Sequence, residues 1–180
     1  AGLVAVAIAG EASLAGAQSG AVGDFEASAD VGAPRLPGSA TYNAVSQEYR
    51  LSAAGVNMWG PRDEFQFVWK RLKGDFILQA RVQLLGDGVD PHRKAGVIAR
   101  TSLDADSPYA DAAVHGDGLI SLQFRRTKGA PTEEARPEVK GADVVQLERK
   151  GSKITLSAAR FGEPFTTSQV EALALGDDVY

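Results

Sequence analysis

The 180-residue sequence has no cysteine, one methionine, two histidines and two tryptophans. The absence of cysteine removes any disulfide framework, thiolate metal site or cysteine nucleophile. The two histidines, His92 and His115, stand without a nucleophilic serine or a metal-binding partner at a recognisable spacing, so neither triad hydrolysis nor a histidine zinc site finds support. Clustered basic charge is lacking as well. A formal net charge of −4 argues against nucleic acid or an anionic membrane as the main partner, because both demand Lys and Arg in numbers that displace counterions. Long apolar runs are missing: residues 3–9 form the longest near the start, too short to span a bilayer. No window of helical length carries a helical period, residues 170–175 being too short to count, and no repeat of propeller or solenoid period occurs.

What the sequence does contain is alternation. Phe76, Leu78, Ala80, Val82 and Leu84 fall on one parity, with Gln79, Arg81 and Gln83 on the other, the period of a strand with one dry and one wet face. Residues 94–103 set Ala95, Val97, Ala99 and Thr101 against Arg100 and Ser102, and residues 109–115 set Ala110, Ala112 and Val114 against Tyr109, Asp111 and His115. Asp117-Gly118 then separates this run from residues 119–126, which predicts a tight hairpin whose turn needs positive φ. Residues 74–126 therefore read as an antiparallel meander at the centre of the protein. Before it, strands are expected around Phe25 and Val31, at residues 42–45 and 48–52, and at 64–72, where Phe65, Phe67 and Trp69 alternate as on a buried sheet face. After it, residues 127–141 read as a long surface loop, 144–150 and 153–160 as a hairpin through Gly151-Ser152, and 165–170 as a further strand. About ten half-buried strands separated by turn signals describe an all-β antiparallel sandwich.

The two ends add expectations of their own. The apolar run at 3–9 followed by Ala15-Gly16-Ala17 matches the tail of a secretory signal and its small-x-small cleavage site, which assigns residues 1–21 to a signal remnant and linker and 22–180 to the sandwich. Its bland alternative is an alanine-rich linker. Residues 176–180 read as a turn leading into a new strand, so the sandwich is expected to be truncated at its C-terminal edge.

Several short motifs lie in a recognisable order: Phe25 with Asp30-Val31-Gly32, Trp59-Gly60 with Asp63-Glu64-Phe65, Gly74-Asp75-Phe76, Ala95-Gly96-Val97-Ile98-Ala99-Arg100, His115-Gly116-Asp117-Gly118-Leu119 with Leu122-Gln123-Phe124-Arg125, and Leu147-Glu148-Arg149-Lys150-Gly151. Together they resemble the concanavalin A-like (laminin G-like) sandwich family of unknown function named after a regulator of enolase. The resemblance implies a jelly-roll sandwich of the lectin and glucanase type, exported to the periplasm or beyond, often N-terminal to a TolB-type propeller, with a closing strand after Tyr180. The family has no settled activity, and fold alone confers none.

Candidate sites follow from chemistry. Retaining glucanases of this fold need carboxylates about 5 Å apart, presented at alternating positions of one strand, and no Glu-x-Asp-x-x-Glu pattern occurs. Asp63 and Glu64 are adjacent and would face opposite ways on a strand, and Glu133-Glu134 sit in the expected loop, so catalytic residues are not assigned. Asp104 and Asp106 offer hard oxygen ligands for calcium, against the plainer reading of a polar turn before Pro108. The polar parity of the meander is richer. Arg81, Arg100, Asp111, His115, Gln123 and Arg125, joined by Gln66, are expected on one exposed face, with Trp59 or Tyr109 as an aromatic platform for a sugar ring. The plain alternative is a solvated sheet face. The functional expectation is a non-catalytic module for a glycan, or a docking domain for a neighbouring domain of the same chain.

Overall fold

The computed structural model describes residues 20–88 and 90–180; the expected signal remnant, apart from its last two residues, lies outside them. Fourteen strands and no helix form among the described residues: β1 (Ala27–Val31), β2 (Ser39–Asn43), β3 (Glu48–Ser52), β4 (Phe65–Trp69), β5 (Leu72–Lys73), β6 (Phe76–Arg81), β7 (Lys94–Arg100), β8 (Tyr109–His115), β9 (Ile120–Arg125), β10 (Glu133–Ala135), β11 (Val144–Lys150), β12 (Lys153–Ala159), β13 (Thr166–Val170) and β14 (Asp178–Val179). Every pairing is antiparallel. Two four-stranded sheets, ordered β10-β9-β8-β7 and β13-β12-β11-β6, share one core, giving a sandwich-like architecture.

The core follows from the alternation. Ala99, Ala110, Ala112, Leu122, Phe124 and Ile120 point inward from the first sheet and meet Val145, Leu147, Ile154, Leu156 and Ala158 of the second. Each fully buried Leu or Ile contributes about 2 kcal/mol of burial free energy. The predicted turns hold: Gly118 has φ +83 and donates its N–H to the His115 carbonyl, while Gly151 with φ +60 turns β11 into β12. A smaller cluster forms where Ala27 and Val31 of β1 meet Phe67 and Trp69 of β4, with partly buried Phe65, Ile98 and Tyr180 against it.

The meander differs from its expectation in two ways. β6 does not join β7, β8 and β9; it crosses to the other sheet and pairs with β11. Residue alternation fixes which face of a strand is dry but not which neighbour it pairs with, and β6 reaches the core from the opposite side. The expected loop at 127–141 contains β10, which adds to the edge of β9.

At the C-terminal end, β14 pairs with β5, and Tyr180 exchanges both backbone hydrogen bonds with Arg100, at 3.1 and 2.9 Å.

Candidate functional site

The side chains opposite the core on β7, β8 and β9 form cross-strand rows set by the register. Arg100, Tyr109 and Arg125 make one row; Ile98, Asp111, Gln123 and Glu134 the next; Gly96, Ala113 and Ser121 a third; and Lys94 and His115 a fourth. Alternation predicts that this face is wet. It is not: every residue of β8 and β9 is buried, on both faces. Residues 53–63 and the β1–β4 ribbon lie against the first rows, with Phe65 packed 5.1 Å from the Arg100 guanidinium and Ile98 in the second apolar cluster.

That cover is fastened by a buried ion cluster. Asp63, Arg100 and Arg125 are fully inaccessible. Asp63 Oδ1 and Oδ2 accept from Arg125 Nη2 and Nη1 at 2.6 and 2.8 Å, a bidentate fork, and Asp63 Oδ2 lies 3.2 Å from Arg100 Nη1. The remaining Arg125 donors reach the carbonyls of Gly60, Ser107 and Ala130 at 2.6, 2.9 and 2.8 Å. One guanidinium thus ties three loops to β9. Burial pulls the Arg100 guanidinium below its ordinary value; for Arg125 the hydrogen bonds and charge of Asp63 outweigh burial and raise it. Both stay charged. Tyr109 completes the fastening, its hydroxyl donating to the Met58 carbonyl at 2.7 Å beside Thr132, and burial drives its phenol far above the usual range.

Further along the face the polar groups are less committed. Lys94 Nζ donates to Asn57 Oδ1 and to Gln123 Oε1, both at 3.2 Å. Gln123 Nε2 lies 3.5 Å from His115 Nε2, and His115 Nδ1 lies 3.1 Å from the Leu119 carbonyl. The consistent assignment is a neutral imidazole that donates through Nδ1 and accepts at Nε2. Burial and the neighbouring Lys94 charge lower its basicity, in agreement. Asp111 accepts one hydrogen bond, from the Gln123 N–H at 3.3 Å, and forms no ion pair among the described residues. Burial pushes its carboxyl up to about 7, with the Lys94 charge offsetting part of the rise; the same burial lowers the Lys94 ammonium. Ser121 Oγ is buried without a partner in the row of small side chains. Leu119, Arg136, Pro137, Glu138, Val139 and Lys140 line a separate recess of about 240 Å³, which none of Lys94, Asp111, His115, Ser121 and Gln123 lines.

The sequence-predicted set therefore divides. Asp111, His115 and Gln123 come together, with Lys94, Asn57, Ser121 and Glu134 as members that sequence reading missed; Lys94 shares the parity of Arg100 on β7, which is the signal that could have found it. Arg100, Arg125 and Tyr109 stand on the same face but are enclosed and spent on internal bonds, so none is exposed as expected. Gln66 is buried on β4, opposite Asp30. Arg81 belongs to the other sheet, where it pairs with Asp143 at 2.8 Å and lies over Phe161. Trp59 is 43% exposed, in the segment between Met58 and Gly60 that both anchor to this face. The calcium expectation at Asp104 and Asp106 meets an internal cation instead: Lys128 Nζ lies 2.8 and 3.6 Å from the two carboxylates, and its hydrogen bond holds Asp104 below the usual carboxylate range.

No protein-family model, curated protein or solved structure matches this chain.

Proposed function

We propose that the chain is a non-catalytic binding module of concanavalin A-like sandwich type, carried by an exported protein, that takes a carbohydrate on the outer side of the β10-β9-β8-β7 sheet. The observation that carries this reading is the distribution of hydrogen-bonding capacity. Lys94, Asp111, Gln123 and His115 are held in one network on the non-core face, with Asp111, Gln123 and His115 buried and the half-buried Lys94 and the exposed Gly96 on its β7 side. Two polar rows flank the Gly96, Ala113 and Ser121 row, each about 7 Å away along the strands, and of that row Gly96 is exposed while Ala113 and Ser121 are buried. Trp59 stands at the edge of the covering segment as the exposed aromatic.

Hydrolysis is the poorer reading of the same groups. Asp63 is consumed by two arginines, Glu134 pairs with Arg136, and Asp111 stands two strands, about 10 Å of backbone, from Glu134. Docking on a neighbouring domain is the second reading. The edge of β7 favours it: the Arg100–Tyr180 pair fixes Lys94, Gly96 and Ile98 as the residues whose backbone groups point away from β8, and Gly96 is exposed there.

A screen of immobilised bacterial and plant polysaccharides tests the first reading, with Trp59→Ala as control. Saturable binding that weakens at least about tenfold in the variant, at an unchanged unfolding temperature, is the expected outcome, the loss of one aromatic platform. Absence of binding across the panel would move the assignment to docking.

A further inference from the structure

Asp30 of β1 stands opposite Gln66 of β4 in the strand register. The Gly38 N–H donates to Asp30 Oδ2 at 2.8 Å. The second carboxylate oxygen, Asp30 Oδ1, and the amide oxygen, Gln66 Oε1, are both buried and have no hydrogen-bond partner. Gln66 as a whole is 8% exposed. A Cβ built on Gly38 would lie within 2.8 Å of Asp30 Oδ1, Gln66 Oε1 and the Ser52 carbonyl oxygen. Gly38 is not among the positive-φ glycines, so its backbone does not call for glycine; the close approach of these oxygens to its Cα does.

Three oxygens, one of them from a carboxylate, therefore gather around Gly38, and two of them, Asp30 Oδ1 and Gln66 Oε1, have no proton donor. Asp30 Oδ1 and Gln66 Oε1, buried acceptors facing each other, repel, and each loses its hydration without compensation. A cation reverses the sign of both effects. We propose that Asp30, Gln66 and the Ser52 carbonyl form a site for a hard cation, calcium by preference, that clamps the β2–β3 hairpin to the β1–β4 ribbon. Carboxylate, side-chain amide oxygen and backbone carbonyl are the donor types calcium takes, with water filling the other positions, whereas softer metals seek nitrogen or sulfur. A single carboxylate predicts weak binding, with a dissociation constant of about 10⁻⁴–10⁻³ M as in extracellular calcium modules.

The competing arrangement is a Gln66 amide turned over, so that Nε2 donates to Asp30 Oδ1 and no ion is needed. Calorimetric titration of the 180-residue chain with calcium chloride, paired with thermal unfolding in calcium and in EDTA, separates the two. The expected result is saturable binding and a rise of about 4 °C or more in the unfolding temperature, both lost in Asp30→Asn and Gly38→Ala and both kept in Asp104→Asn. If Asp30→Asn does not fold, Gln66→Glu carries the test, since a second carboxylate is expected to tighten binding by about tenfold. No calcium response in the wild-type chain overturns the proposal. So does a response that survives Asp30→Asn, or an unchanged affinity in Gln66→Glu.

Discussion

Asp111 shows at the scale of one residue why a polar side chain on a strand's non-core parity need not be solvated. The same Asp on an open sheet would ionise at about pH 4. Enclosed between β7 and β9, with one long hydrogen bond and a lysine nearby, it holds its proton up to about pH 7. The stability consequence has a definite sign. A folded-state pKa raised above the unfolded value contributes stability that is complete below about pH 4 and is lost as pH rises through about 7. The loss approaches roughly 4 kcal/mol for a rise of about three units. Asp111→Asn is therefore expected to flatten the fall in stability between pH 5 and 8 and to exceed wild type at the upper end. Urea unfolding measured across that range checks it; a variant that tracks wild type at every pH would remove Asp111 as the titrating group. His115 acts oppositely, since burial lowers it and its contribution is lost as pH falls below its unfolded value.

Elements decide what covers the site. The segment at 53–63 belongs to no strand, yet it carries Asn57, Met58, Gly60 and Asp63, each bonded to the non-core face or its loops. Gly55 lets it pass close to the chain at the foot of β4: a Cβ there would collide with the Glu64 carbonyl. Gly55→Ala is expected to lift the segment, cost about 2 kcal/mol or more, and expose Tyr109 to solvent. Amide exchange of β8 and β9 together with tyrosine fluorescence measures this; protection equal to wild type would mean that the segment does not hold the cover. Much at this scale was legible in the sequence. The strands at 109–115, 119–126, 144–150 and 153–160 and the turns at Gly118 and Gly151 follow from alternation and from residues that tolerate positive φ. The crossing of β6 and the pairing of β10 were not, because alternation says nothing about strand order. Nor was the covering of the polar face. Asp63, Arg100 and Arg125 are 25 to 62 positions apart in sequence and meet only through the fold, so a carboxylate at a turn and two arginines on strands carried no sign of being one cluster.

For the whole molecule, two roles are drawn on one sheet face. The Asp63, Arg100 and Arg125 end is construction: removing Arg125 takes away the bidentate partner of buried Asp63 and the donor to three loop carbonyls, and truncating one partner of such a group costs about 3–5 kcal/mol. The Lys94, Asp111, His115 and Gln123 end is the proposed ligand end, where truncation of the buried Gln123 amide removes a hydrogen-bond partner shared by Lys94 and His115. The measurement that tests this division most directly is a paired one: equilibrium unfolding and polysaccharide binding on Arg125→Ala and Gln123→Ala side by side. Arg125→Ala is predicted to lose about 3–5 kcal/mol of stability. Gln123→Ala is predicted to lose less, about 1–3 kcal/mol, while its binding falls at least about tenfold. Wild-type binding in a folded Gln123→Ala would contradict the assignment of this face to a ligand.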